Sequence, residues 1–211
     1  FSNIILADEI NRAPAKVQSA LLEVMQERQV TIAGQTHILP RPFVVMATQN
    51  PIESEGTYPL PEAQVDRFMM KVLVGYPQAE EEFVIVQRAI GEQINVSARA
   101  NTDQLADIQK RCRQGFVDSA LVQYAVELVN ATRNPEKAGL DKLAPFIMFG
   151  ASPRASISLV EGARALAFLR GRAYTTPQDL IDIAPDVMRH RLVMSYEALA
   201  ENVTADDIIA E

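Results

Sequence analysis

A chain of 211 residues with 48% hydrophobic content can bury one large core or two small ones. Its 27 acidic and 20 basic residues leave a net charge of −7, which gives no general attraction to nucleic acid, and no apolar run approaches the ~18 residues that suggest a membrane span. A single cysteine, Cys112, excludes an internal disulfide and a cysteine-cluster metal site, and the expected compartment is the cytoplasm.

The first element is the apolar run Ile4, Ile5 and Leu6, read as a strand buried on both faces, as in a parallel sheet. It runs into the adjacent acids Asp8 and Glu9. Ligands of open α/β sheets sit beyond the carboxyl ends of the strands, so these acids point at a ligand. The chain starts at Phe1 with no earlier strand or helix to complete a sheet, and the expectation is a piece of a longer protein. Residues 14–28 place Val17, Leu21, Val24 and Met25 on one face at helical spacing, with Pro14 near the start, where a missing N–H costs little. Alternating residues around Ala33-Gly34-Gln35 predict a β-hairpin over 30–39 with that tripeptide at its tip. Residues 43–47 repeat the opening pattern and end in Thr48, Gln49 and Asn50, followed by Pro51. FMMKVLVGYP, residues 68–77, predicts a third strand closed by Gly75 and Pro77.

Beyond Pro77 the periodicity is helical, over 79–90, 103–114, 119–132, 153–170 and 177–190. Thr102 and Asp118 suit N-caps and Gly115 suits a C-terminal stop. Thr176-Pro177-Gln178-Asp179 sets a cap, a proline at N1 and an acid at N3. The fold class expected is therefore α/β, a partial parallel sheet with a β-hairpin insert, followed by an all-α module. The joint falls near 77, giving units 1–77 and 78–211.

A strand ending Asp-Glu has a specific use in nucleotide hydrolysis: the Asp holds the Mg²⁺ shell and the Glu polarises the attacking water. Taken alone, such a pair reads first as a solvated strand end. A second strand that ends at the same sheet edge in a polar amide, Asn50, adds a group able to orient a water or a γ-phosphate. In LPEAQVDRF, Arg67 is either an arginine finger or a surface ion pair with a neighbour such as Asp66. In GASPRASISL, Ser152 suits an N-cap and Pro153 suits N1, which places Arg154 in a first helical turn. A cation there opposes the helix dipole unless an anion such as a phosphate is shared.

The stretches LADEINRAP, QSALLEVMQERQVTIAGQTHILP and ATQNPIESEGTYPLPEAQVDRF closely resemble the MoxR-type AAA+ ATPases, and GASPRAS with VMRHRLVMSYEALAENVTADDII resembles the lid domain of that family. On this resemblance Asp8 and Glu9 correspond to the Walker B acids, with Asp8 holding Mg²⁺ through water. Asn50 corresponds to sensor 1, Arg67 to the arginine finger and Arg154 to sensor 2. The resemblance implies ATP and Mg²⁺ as cofactors and assembly into a ring, with six subunits expected. It also implies chaperone-like remodelling or activation of client proteins, for complex or metal-cofactor assembly, including partners that carry a von Willebrand factor A domain. The hairpin looks like the one inserted before sensor 1 in this clade, where related ATPases engage their clients.

No G-x-x-x-x-G-K-[ST] motif occurs, and none of Lys16, Lys71, Lys110, Lys137 and Lys142 follows a glycine. The sequence therefore reads as beginning at Walker B without Walker A, with the central strand of the sheet missing. A polypeptide of these residues alone is expected to be inactive. Two other readings stay open. One is a helicase-like AAA+ DNA translocase, opposed by the acidic balance and by a hairpin tip without Lys or Arg. The other is a non-catalytic interaction module built on the helical half. His37 and His190 lack a second ligand at i+3 or i+4 and carry no metal assignment.

Overall fold

The computed structural model describes residues 2–50, 56–91 and 96–211. Strand β1 (Ile4–Ala7) is followed by helix α1 (Ala15–Glu27), the hairpin β2 (Gln29–Ile32) and β3 (Gln35–Ile38), and strand β4 (Val44–Ala47). β1 and β4 pair in parallel, Ile4 opposite Val44 and Ala7 opposite Ala47. Their matched register brings the residues after both strands to one end of the sheet. The expectation that β1 is buried on both faces does not hold. Ile4 and Leu6 are 59% and 60% exposed, and Val44 and Met46 continue the same open face. α1 packs through Gln18 and Leu22, while Val17, expected on the inner face, lies outside. The hairpin forms as expected with a two-residue tip. Ala33 (φ 49°) and Gly34 (φ 81°) both take positive φ, the mirror-image turn whose twist matches the flanking strands. Gln35 belongs to β3 rather than to the tip.

Residues 68–77 form no strand, which corrects the reading of FMMKVLVGYP. A one-turn helix, α2 (Glu62–Val65), leads into this segment, and its backbone is taken up by the helical module instead of by a sheet. The Lys71 N–H donates to Asp186 O (2.8 Å), the Arg189 guanidinium to Lys71 O (2.6 Å), and the Arg191 guanidinium to Phe68 O (2.6 Å) and Met69 O (3.1 Å). Met70 packs against the apolar core of the helices. Beyond it Val72, Leu73 and Val74 are exposed.

The helical module comprises α3 (Ala79–Ile90), α4 (Thr102–Arg113), α5 (Ser119–Arg133), α6 (Pro153–Leu169), α7 (Pro177–Met188), α8 (Tyr196–Glu201) and α9 (Ala205–Ala210), with a short antiparallel pair, β5 (Ile147–Phe149) and β6 (Val193–Met194). Its core joins Val129 of α5, Leu159 of α6, and Leu180 and Val187 of α7, all without solvent exposure. Ala155 and Ala163 let α6 lie close against its neighbours. α3 contributes no buried residue and shows Phe83 and Ile85 to solvent.

The caps explain where the helices begin. Asn101, not Thr102, is the N-cap of α4: its side chain accepts from the Gln104 N–H (2.8 Å), and Thr102 is the first helical residue. Asp118 caps α5 as expected. At α7 the acid at N3 does more than cap. Asp179, fully buried, accepts from the Thr176 N–H and hydroxyl and from Arg170 and Arg172, contacts that hold its carboxyl well below the usual carboxylate range.

Candidate functional site

The acids at the end of β1 are held by the end of β4. The Thr48 hydroxyl donates to Asp8 Oδ1 and accepts from the Glu9 N–H (2.8 Å). The backbone closes the same junction, with Thr48 N–H to Ala7 O (3.0 Å) and Ile10 N–H to Thr48 O (3.0 Å). Glu9 takes a left-handed conformation (φ 47°, ψ 51°), uncommon for a residue with a Cβ and characteristic of functional turns. This turn reverses the chain into a short 3₁₀ segment, Ile10–Arg12, so that Glu9 Oε2 meets Arg12 Nε at 3.0 Å. Below the turn, the buried amide of Gln18 donates to Ala13 O (3.0 Å), Tyr58 O (2.9 Å) and Ile10 O (3.3 Å). A strained residue held from both strands and braced from α1 has its direction fixed before any ligand arrives.

Asn50 lies two residues beyond Thr48 and is half-buried. Pro51, expected to hold it, lies outside the described residues. In the sequence Thr48 is only part of a polar strand end. Its position opposite Asp8 follows from the parallel register, which no local pattern encodes.

A second cluster forms around Asp66, immediately after α2. The Ser152 hydroxyl donates to both carboxylate oxygens (2.8 Å each), Arg154 Nη1 to Oδ2 (3.1 Å) and Arg191 Nε to Oδ1 (3.1 Å). Burial would raise the Asp66 pKa. The hydrogen bonds from Ser152 and Arg154 and the charge of Arg191 outweigh it, and the group is held below its ordinary value. Ser152 also caps α6, accepting from the Arg154 N–H (3.1 Å), and Pro153 stands at N1 as expected. The sequence reading of Asp66 as a partner of Arg67 is corrected: Asp66 serves Arg154 and Arg191, while Arg67 donates to Gln26 Oε1 of α1. The Arg67 Nε is buried without a partner. No sequence pattern singles out Arg191, whose side chain is 1% exposed. It ties the turn after α2 to the lid by donating to Asp66 O (3.1 Å) as well.

The predicted residues thus fall in three places: Asp8, Glu9 and Asn50 beyond the ends of β1 and β4, Arg154 beside Asp66 at the head of α6, and Arg67 against the far half of α1. Among the described residues no group of three or more His, Cys, Asp or Glu is arranged to hold a metal ion directly. Asp8 nevertheless suits a hydrated Mg²⁺: Thr48 engages Oδ1, and Oδ2 remains a hard oxygen donor for a water of the ion's shell.

Strands that end in paired acids and a polar amide, joined to a helical module whose first-turn arginine pairs with Asp66, agree with the AAA+ class that the resemblance implies. Residues 1–70 match the ATPase family associated with various cellular activities, and residues 143–211 match the AAA lid domain. Chaperone MoxR1 of Mycobacterium tuberculosis is 54% identical over 208 residues, which cover 99% of this chain and 55% of that protein. Protein MoxR of Paracoccus denitrificans is 33% identical over 94% of this chain and 62% of its own length. A crystal structure from Cytophaga hutchinsonii superposes over the whole chain and 64% of its own, with TM-score 0.95 and 48% identity. The chain belongs to the MoxR-type AAA+ ATPases, and it spans a little over half to just under two thirds of these relatives.

Proposed function

We propose that this chain is the part of a MoxR-type ATPase that activates the attacking water and senses the nucleotide, residues 1–77 contributing to the α/β core and 78–211 forming the lid. The whole protein would hydrolyse ATP in a ring, with six subunits expected, and remodel or activate client proteins, among them those with a von Willebrand factor A domain. The observation that carries this reading is the clamp of Thr48, which holds the Asp8 carboxylate and the backbone of Glu9 at one strand end. Asp8 would hold Mg²⁺ through the ion's water shell. Glu9, in a left-handed turn and paired with Arg12, takes the proton of the attacking water through its carboxylate. Asn50 orients that water, and Arg154 and Arg67 supply positive charge to the phosphates, Arg67 from a neighbouring subunit. Mg²⁺, when bound, neutralises phosphate charge. The exposed hairpin tip at Ala33-Gly34 is the proposed client contact, and its lack of Lys or Arg favours protein over DNA.

The test uses the full-length protein. Glu9→Gln is expected to reduce ATP turnover by about 10²-fold or more, the worth of a general base, while leaving ATP affinity unchanged. An equal loss of affinity would mean that Glu9 serves nucleotide binding and is not the general base. A polypeptide of these 211 residues alone, which contains no phosphate-binding loop sequence, is expected to show no turnover. Turnover by it that disappears with Glu9→Gln would overturn that expectation.

A further inference from the structure

Resting on that reading, we propose that Asp66 is a positioning residue that holds Arg154 in place of a phosphate and hands it to the nucleotide's terminal phosphate when ATP binds. The sequence poses the problem. A first-turn cation at the head of α6 needs an anion, and here the anion is the protein's own carboxylate. The two arginines on Asp66 are not equivalent. Arg191 is buried and is bonded also to the carbonyls of Asp66, Phe68 and Met69, so it has nowhere else to go. Arg154 is half exposed, its guanidinium has Asp66 as its ion-pair partner at one oxygen, 3.1 Å away, and its long side chain can swing without breaking a core contact. Release of Arg154 does not strand Asp66, because Ser152 and Arg191 continue to satisfy the carboxylate.

Asp66 also immediately precedes Arg67. The other partners of Asp66, Ser152 and Arg191, keep the turn after α2 in place when Arg154 leaves.

The experiment is a double-variant comparison in the full-length protein, measuring the equilibrium affinity of a fluorescent ATP analogue alongside kcat and KM. Asp66→Asn, which weakens the competing ion pair, is expected to tighten binding about two- to fivefold, the size of a part-exposed pair. Arg154→Ala is expected to weaken binding, and Asp66→Asn added to Arg154→Ala is expected to change affinity no further. The same shift in both backgrounds, or none in the wild-type background, overturns the proposal. A merely structural Asp66 would lower thermal stability and kcat alike in either background. If Asp66→Asn leaves Arg191 stranded and fails to fold, Asp66→Asn combined with Arg191→Gln is compared with Arg191→Gln alone, in both Arg154 backgrounds, with the same two outcomes. Failure of the wild-type protein to bind the analogue overturns the proposed function together with this inference, whereas binding without coupling overturns the inference alone.

Discussion

Thr48 shows how one hydroxyl can set the geometry of two acids: it donates to one and accepts from the backbone of the next. Thr48→Val keeps the shape and the β-branched preference of the position while removing both contacts. The expected result in the full-length protein is a turnover lower by about tenfold, equivalent to one hydrogen bond of ~1.4 kcal/mol lost at the transition state, with little change in melting temperature. Unchanged turnover would mean that the backbone bonds of the junction suffice. His190 is a second residue whose behaviour follows from its surroundings. Its Nε2–H donates to Phe68 O, Nδ1 is buried without a partner, and burial, helped by the Arg191 and Lys71 charges, pushes its pKa down to about 4. The unfolded chain takes up that proton near pH 6.5 and the folded one only near pH 4. The contribution is therefore complete above pH 6.5 and is lost progressively as the pH falls to about 4. Urea midpoints measured at pH 7 and pH 4.5 are expected to differ in this direction, and His190→Gln is expected to shrink the difference.

At the level of elements, the start of α6 depends on a close approach that only glycine permits. A Cβ on Gly150 would lie 2.4 Å from Thr132 O and 2.6 Å from the Arg133 N, both backbone atoms at the end of α5. The same junction is tied by the Ala151 N–H to Thr132 Oγ1 (3.0 Å) and by Arg133 Nε to Ala151 O (2.6 Å). Gly150→Ala must push the two segments apart, and the expected cost is about 1–3 kcal/mol, read as a lowered melting temperature. Because Ser152 and Arg154 follow directly, ATP affinity in the full-length protein should fall too; a stable variant with unchanged affinity would deny that this junction sets Arg154. Most of the helices, and the caps at Asp118, Ser152 and Thr176, are legible in the sequence because capping chemistry and helical spacing act within a few residues. FMMKVLVGYP is not legible. An apolar, β-branched run has the same pattern whether its backbone pairs with a strand or with a helix, and here the partners are the Asp186 carbonyl and the side chains of Arg189, His190 and Arg191, more than a hundred residues further along the chain. The face of α1 eludes the pattern for a related reason. Gln18 outcompetes Val17 for the interior because its amide serves the carbonyls of Ile10 and Ala13 in the turn below Glu9 and that of Tyr58, a demand that apolar periodicity does not register.

For the whole molecule, the placement of Arg67 argues for catalysis shared between subunits. Glu9 precedes the N-terminal end of α1, whereas Arg67 donates to Gln26 near its other end, about 16 Å further along the axis at 1.5 Å per residue. On the proposed function, an arginine set back along α1 from its own subunit's acids is available to a nucleotide presented by another subunit. Arg67→Ala in the full-length protein is accordingly expected to lower turnover by about 10³-fold, the worth of an arginine finger, while sparing ATP affinity. The geometry makes a sharper demand on mixtures. Subunits carrying Arg67→Ala retain Glu9, and subunits carrying Glu9→Gln retain Arg67, so a ring built from both contains interfaces where an intact acid meets an intact arginine. Co-assembly of the two inactive variants is expected to restore part of the wild-type rate, with the recovered rate rising and falling with the fraction of such interfaces as the mixing ratio is varied. Mixed rings that assemble, as verified by sedimentation, yet recover no turnover would place Arg67 in a structural role within its own subunit, where its bond to Gln26 would then be its whole function.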